Sequence, residues 1–264
     1  MSIRAWWKGI WPPFGAVVLL LVLWQLATSL FQIEDWILPS PARIAQEAEK
    51  SYISLLGHTW ATLKLTLSGF GIGAATGLIV AGVLHYIPFL RRALYPLLIL
   101  SQNIPLIALG PLLIIWFGFG LLSKLIVIVL VCFFPITVAA LGGLAGTDRV
   151  MMNYMQMIGA TRGQIFWKLE LPYSLPAVFS GLKIAATYSI MGAIIAEWIS
   201  SSEGLGYYML LQQSAFRTDR MFVAIMIVIV FSLIMFSLIV LLEKWCIRWQ
   251  NDSTAHPKGG IDRV

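Results

Sequence analysis

Followed along its apolar and polar positions, the chain is a series of long apolar runs separated by short polar connections. Six runs stand out: Phe14 to Phe31, Ala61 to Leu84, Leu94 to Phe117, Leu122 to Gly146, Ala177 to Ile199, and Met221 to Leu242. A hydrocarbon core of about 30 Å takes about 20 apolar residues of helix, so each run is predicted to be a span. Lipid offers the backbone no hydrogen-bond partners, and helices satisfy their own. The expected fold class is therefore an all-α membrane protein with six transmembrane helices. The opening MSIRAWWKGIWPP is similar to the charged flank of a signal peptide, but the run after it is long enough to span and carries no small-residue cleavage site. It is read as a retained first helix. The organisation expected is an N-terminal segment 1–13, a membrane domain 14–249 and a polar tail 250–264.

Composition agrees with the pattern. Of 264 residues, 59% are hydrophobic and 11% charged, against about 25% charged in a soluble domain. Too few charges remain to cover a soluble core, so an ordinary cytosolic enzyme is excluded. The net charge of +6 is spread over short connections with no basic block, which points to topology and away from nucleic acid. With the N-terminus inside, twelve of the 18 Lys and Arg fall on the inner side and six on the outer. That bias predicts both termini in the cytoplasm. Cys132 and Cys246 are too far apart for a CxxC site and too few for a disulfide scaffold.

Several residues within the runs carry alternatives. Gly69, Gly73, Gly77 and Ala81 recur every four residues, as do Gly181, Ala185, Ser189 and Ala193. Such smooth faces serve close helix packing or sliding during gating. Gln102 and Asn103 precede Pro105, with Pro111 following, so the third run is expected to be interrupted there. A broken helix is tolerated at membrane depth where its freed carbonyls meet protein or a water-filled cavity. Gln102, Asn103 and Pro105 then line a pathway, or the two amides bond a neighbouring helix. Pro135 offers a second kink, in the fourth run. Glu197 is the acidic residue inside a run, close to its outer end, and fits a pathway role or a salt bridge or cap. Lys64 and Lys183 sit near run ends and are expected to snorkel. Between the first two runs, LPSP at Leu38 to Pro41 leads into Ala42 to Leu56, which suits a short surface helix.

No G-x-x-x-x-G-K-[ST] occurs, so the chain has no phosphate cradle of the Walker type. His58, His85 and His256 are placed for neither a haem nor an H-E-x-x-H zinc site. No catalytic, cofactor or metal residues are assigned.

The connection 147–176 carries the most specific signal. Met151 to Ile158 can form a short helix, Gly159 a turn, and Gln164 to Glu170 a second helix that Pro172 would stop. Two short helices make a knob for a partner's groove. Asn153-Tyr154-Met155, three residues, Gly159, nine residues, then Leu169-Glu170-Leu171-Pro172 resembles the cytoplasmic loop of ABC importer permeases, EAA, three residues, Gly, nine residues, I-x-L-P. The spacing matches throughout, while the EAA triplet is replaced. The resemblance implies a type I permease fold whose coupling helices engage a separate ATPase subunit through Asn153, Met155, Gly159, Ala160, Thr161, Leu169, Leu171 and Pro172.

It extends over nearly the whole chain. LPSP, Ile104 to Pro111, Trp116 to Gly120 with Ser123-Lys124, and Ala196-Glu197 followed by Gly204 to Tyr207 are similar to the nitrate, sulfonate and taurine branch. Glu197-Trp198 through Gly204 to Met209 and Thr218-Asp219-Arg220 is most similar to permeases for formylaminopyrimidine and hydroxymethylpyrimidine, thiamine-related pyrimidines. What this implies is a homodimer in the bacterial cytoplasmic membrane, with two ATPases that use the ATP and an extracytoplasmic solute-binding protein. The outer loop, with Glu203, Gly204, Gly206, Tyr207 and Tyr208, is expected to meet the binding protein. A sulfonate, taurine or nitrate permease is the alternative within the family. An ATPase-independent secondary transporter or channel, or a membrane enzyme, are the alternatives outside it.

Overall fold

The computed structural model describes residues 3–247, with side chains from Trp11 onward except Pro13. The expected tail 250–264 lies outside the described residues, as does His256. In order, the helices are α1 (Ile3–Leu30), α2 (Pro41–Tyr86), α3 (Pro88–Ser101), α4 (Leu106–Phe117), α5 (Leu121–Ala145), α6 (Arg149–Met157), α7 (Arg162–Ile165), α8 (Leu171–Ser200), α9 (Leu205–Ser214) and α10 (Thr218–Cys246), with a π-helical turn, Phe166–Glu170, between α7 and α8. Among the described residues there is no strand, so the helical expectation holds.

The six expected spans do not all appear as six long helices. Four stretches are long and apolar enough to cross a bilayer: α2, α5, the run Arg162–Ser200 and α10. The expected third span, Leu94 to Phe117, is instead the pair α3 and α4, bent by 104°. Pro105 is the residue at which α4 begins, and it has no N–H to continue the preceding helix. The apolar part of α1, Phe14–Leu30, is shorter than the other candidates.

Two further boundaries differ from expectation. Ala42 to Leu56 is not a separate surface helix, because α2 runs unbroken for 46 residues. Its start is well capped: Pro41 sits where a missing N–H costs nothing, and the Ser40 hydroxyl accepts from the Arg43 amide at 3.2 Å. Gly57, which follows the expected surface helix, costs about 1 kcal/mol relative to Ala, too little to end a helix of that length. Nor does Pro172 stop the second loop helix. The chain passes through the π turn, where the Leu171 amide reaches back five residues to the Phe166 carbonyl, and Pro172 falls in the first turn of α8. In a regular α-helix its ring would press on the carbonyl four residues back, and the wider π turn accommodates it.

The chain divides into two units, one of residues 1–61 and 202–229 and the other of residues 62–201 and 230–264. In the first, the rings of Trp24 and Phe222 lie 5.5 Å apart, and Gln25 Oε1 accepts from the Ala42 amide at 3.2 Å. In the second, α5 is the central helix and continues through Pro135. Ile128, Cys132 and Ile136 are fully buried on it. Both small-residue faces pack there. A Cβ added at Gly73 would lie 2.6 Å from Cys132 Cβ, one at Gly77 2.9 Å from the Phe133 carbonyl, and one at Gly181 2.7 Å from Ala139 Cβ. The Thr137 hydroxyl donates to the Gly77 carbonyl at 3.1 Å. These are closely packed seams, held by van der Waals contact at close backbone approach. Lys183, expected to snorkel, pairs with Glu243 at 2.9 Å.

Candidate functional site

The α6–α7 connection is built almost entirely from local chemistry. Asp148 caps α6 by accepting from the Val150 amide at 2.8 Å. At the other end Gly159 has φ +78°, a left-handed conformation that a Cβ penalises. The Ala160 amide reaches the Met155 carbonyl and the Gly159 amide the Gln156 carbonyl, both at 3.0 Å, which is the Schellman closure of a helix. Thr161 then opens α7 with a capping box: its amide donates to Gln164 Oε1 at 2.9 Å and its hydroxyl accepts from the Gln164 amide at 3.4 Å.

This connection ends in a projecting apolar surface. Ile165 is buried and anchors it, while Val150, Met151, Tyr154, Met157, Ile158 and Trp167 are exposed, Met157 to 85%. Of the expected coupling residues, Asn153, Gly159 and Thr161 are exposed, and Met155, Ala160, Leu169, Leu171 and Pro172 half-buried. Exposed apolar side chains gathered on short, capped helices suit a partner's surface.

A second feature lies where α3 breaks from α4. A cavity of about 560 Å³ opens there, lined by Ser101, Gln102 and Leu109 and by the rings of Phe133, Phe134 and Tyr188 among others, none of them charged. Pro135 also lines it, on α5. Of the expected pathway residues, only Gln102 is in this wall. The Asn103 amide group donates to the Ile99 carbonyl at 3.3 Å, bonding its own helix and not a neighbour. Glu197 is 2% exposed and away from the cavity, and Thr62 donates to it at 2.8 Å. The structure buries this carboxylate against the Thr62 hydroxyl.

The loop before α9 departs from expectation in the same way. Glu203 is exposed and Tyr207 half-buried, but Gly204, Gly206 and Tyr208 are buried. Gly204, at φ +108°, donates its amide to His58 Nδ1 at 3.1 Å, and the Tyr208 ring lies 5.4 Å from the His58 ring at a tilt of 48°. The tyrosines expected at the surface are therefore largely withdrawn.

Nearby in the same unit is an ion cluster that sequence reasoning missed. Glu47, 2% exposed, accepts from Arg217 Nη2 at 3.0 Å, Arg220 Nε at 3.2 Å and Lys50 Nζ at 3.2 Å. Asp219 accepts from Arg217 Nε at 3.2 Å, and Arg43 lies 3.5 Å from Asp35 and 3.7 Å from Asp219. Both carboxylates lie outside the apolar runs. Burial raises Glu47 toward protonation, but the hydrogen bonds from Lys50 and Arg220 outweigh it and hold the carboxyl below its ordinary value. Asp219 is likewise lowered, its burial overcome by Arg217. The hydrogen bond to Asp219 raises the Arg217 guanidinium in turn. Among the described residues no cluster of His, Cys, Asp and Glu is set up to hold a metal.

The chain is thus a helical membrane protein with a capped loop that exposes apolar side chains and a cavity lined by uncharged residues. The family model described as "binding-protein-dependent transport system inner membrane component" matches residues 73–248, which include the α6–α7 loop and the cavity. The chain belongs to that family and is an ABC transporter permease subunit. It is 36% identical to a probable ABC transporter permease protein of Haemophilus influenzae, over 85% of this chain and 91% of that one. It is 33% identical to the formylaminopyrimidine transport permease protein ThiX of Halalkalibacterium halodurans, over 89% of this chain and 94% of that one. Other relatives are named for riboflavin, aliphatic sulfonate and taurine transport. A chain in the crystal structure of an amino acid ABC transporter with histidines shares the fold at TM-score 0.59 and 16% identity, over 78% of this chain and 97% of that one.

Proposed function

We propose that the chain works as a homodimeric importer permease, with both termini in the cytoplasm, and that its solute is a thiamine-related pyrimidine such as formylaminopyrimidine. The α6–α7 knob carries this reading. Its apolar side chains, with Met157 85% exposed, are held by a Schellman turn and a capping box in one defined shape, as an ATPase groove requires. Closure of two ATPases on ATP pulls on this loop in each protomer, rocks the helices behind it and opens a central path toward the docked binding protein. The chain itself binds no nucleotide, and the exposed Glu203 is the part of the α9 loop left to touch that binding protein.

The cavity bears on the solute. Its lining residues include Phe133, Phe134 and Tyr188, which are aromatic, and Ser101 and Gln102, which are polar, and none of its lining residues is charged. A neutral, flat heterocycle is stabilised by such a wall, whereas a sulfonate finds no cationic side chain to replace its water. The test is uptake of labelled formylaminopyrimidine and taurine in cells that carry or lack the chain together with its ATPase and binding protein. Loss of pyrimidine uptake alone on deletion is the expected result. Loss of taurine uptake alone would keep the permease and move its solute to the sulfonate branch.

A further inference from the structure

His85 and Glu170 sit in the same unit but far apart in sequence, and each closes an element. His85 lies in the last turn of α2, and Glu170 is the last residue of the π turn that joins the α6–α7 knob to α8. Their side chains meet, His85 Nε2 to Glu170 Oε2, at 2.9 Å. The contact is sheltered, with side-chain exposures of 16% and 13%. The Phe166 ring, from the first residue of the same turn, lies 5.2 Å from Tyr86 and 6.1 Å from His85. Among the described residues, no other side-chain hydrogen bond ties residues 149–172 to a distant part of the chain. The knob is otherwise held by its own caps and by the buried Ile165.

We infer that the His85–Glu170 pair is a positioning clamp, which makes the π turn and the end of α2 move as one body and so passes movement of the α6–α7 loop into a second membrane helix. The inference rests on the coupling role given above to that loop. The chemistry favours a firm joint. A carboxylate acceptor makes the bond charge-assisted and stronger than a neutral one, and it holds with the imidazole neutral or charged, since Nε2–H donates in both forms. The π turn explains why a clamp is needed. Its wider hydrogen-bond spacing makes it the natural place for the chain to bend, so a pull on the knob would be absorbed there unless the turn is fastened sideways.

The experiment is a substitution cycle in the purified complex of permease, ATPase and binding protein in proteoliposomes. It reads the ratio of ATP hydrolysis with liganded binding protein to hydrolysis without it, and the amount of ATPase that co-purifies. His85→Ala and Glu170→Ala are each expected to lower that ratio by about tenfold, the scale of one charge-assisted bond, with unchanged co-purification of ATPase. Glu170→Gln keeps an acceptor for Nε2–H and is expected to stay within about twofold, since the hydrogen bond survives. Exchanging the partners, His85→Glu with Glu170→His, is expected to restore the ratio. Alanine variants that bind ATPase and keep the wild-type ratio overturn the clamp and leave the permease reading intact. So does loss of ATPase binding in those variants, since the pair would then only shape the loop. A wild-type chain that captures no ATPase overturns the permease reading itself.

Discussion

At the scale of single residues, the consequential finding is how completely Glu47 is enclosed by cations contributed from residues some 170 positions away. Nothing local announces it, because Glu47 lies in an ordinary amphipathic stretch and Arg217, Asp219 and Arg220 look like loop charges. The α6–α7 turn is the opposite case. Gly159 and Thr161 act on amides within five residues of themselves, so their roles were legible in the sequence. The Glu47 cluster yields a pH prediction whose sign is fixed. A carboxyl held below its ordinary value of 4.5 contributes stability in full above that value and loses it as the pH falls through the lower, folded-state value. Glu47→Gln is expected to cost about 1–2 kcal/mol at pH 7, because its arginine partners are left unneutralised but remain about a third exposed. In thermal unfolding of the purified chain, the gap between wild type and variant should narrow on going from pH 6 to pH 4. A gap that stays constant would mean that the cluster contributes through shape and not through charge.

At the scale of elements, hydropathy located the apolar runs but not how they join. Periodicity could not say that Gly57 fails to interrupt α2, nor that Pro172 is absorbed by a π turn, because both outcomes depend on what the flanking turns gain by continuing. The broken third run was readable, since Gln102 to Pro105 concentrates the signals that end a helix, yet its 104° bend was not. The small-residue stripes left packing and sliding open, and the structure shows the packing. Each is pressed against α5 at distances where a Cβ has no room. Gly77→Leu is therefore expected to destabilise the chain by about 2–3 kcal/mol through overpacking against backbone. Gly71→Ala is the control: a Cβ there meets nothing within 4 Å, and the change should be neutral or gain up to about 1 kcal/mol. Thermal unfolding of the two variants checks this. Equal destabilisation would contradict the picture of α5 as the spine of its unit.

At the scale of the whole molecule, the chain is an ABC transporter permease subunit, and its family implies an ATPase and a binding protein as partners. Its family membership explains why so much of its composition serves helix packing and so little serves polar function. Residues that a search for intramembrane charge would pick first, Glu197 and Lys183, are engaged with Thr62 and Glu243. The central claim is that the knob is where an ATPase subunit takes hold, and capture of that ATPase tests it most directly. The tagged chain, co-expressed with its ATPase and extracted in mild detergent, is expected to co-purify with the ATPase. A Gly159→Val variant, forcing a β-branched residue to φ +78° at a cost of about 1–2 kcal/mol or more, should retain about a tenth of it. Full capture of the ATPase by both chains would contradict the assignment of the knob as the docking surface, and capture by neither would contradict the account of the chain as a permease driven by a separate ATPase.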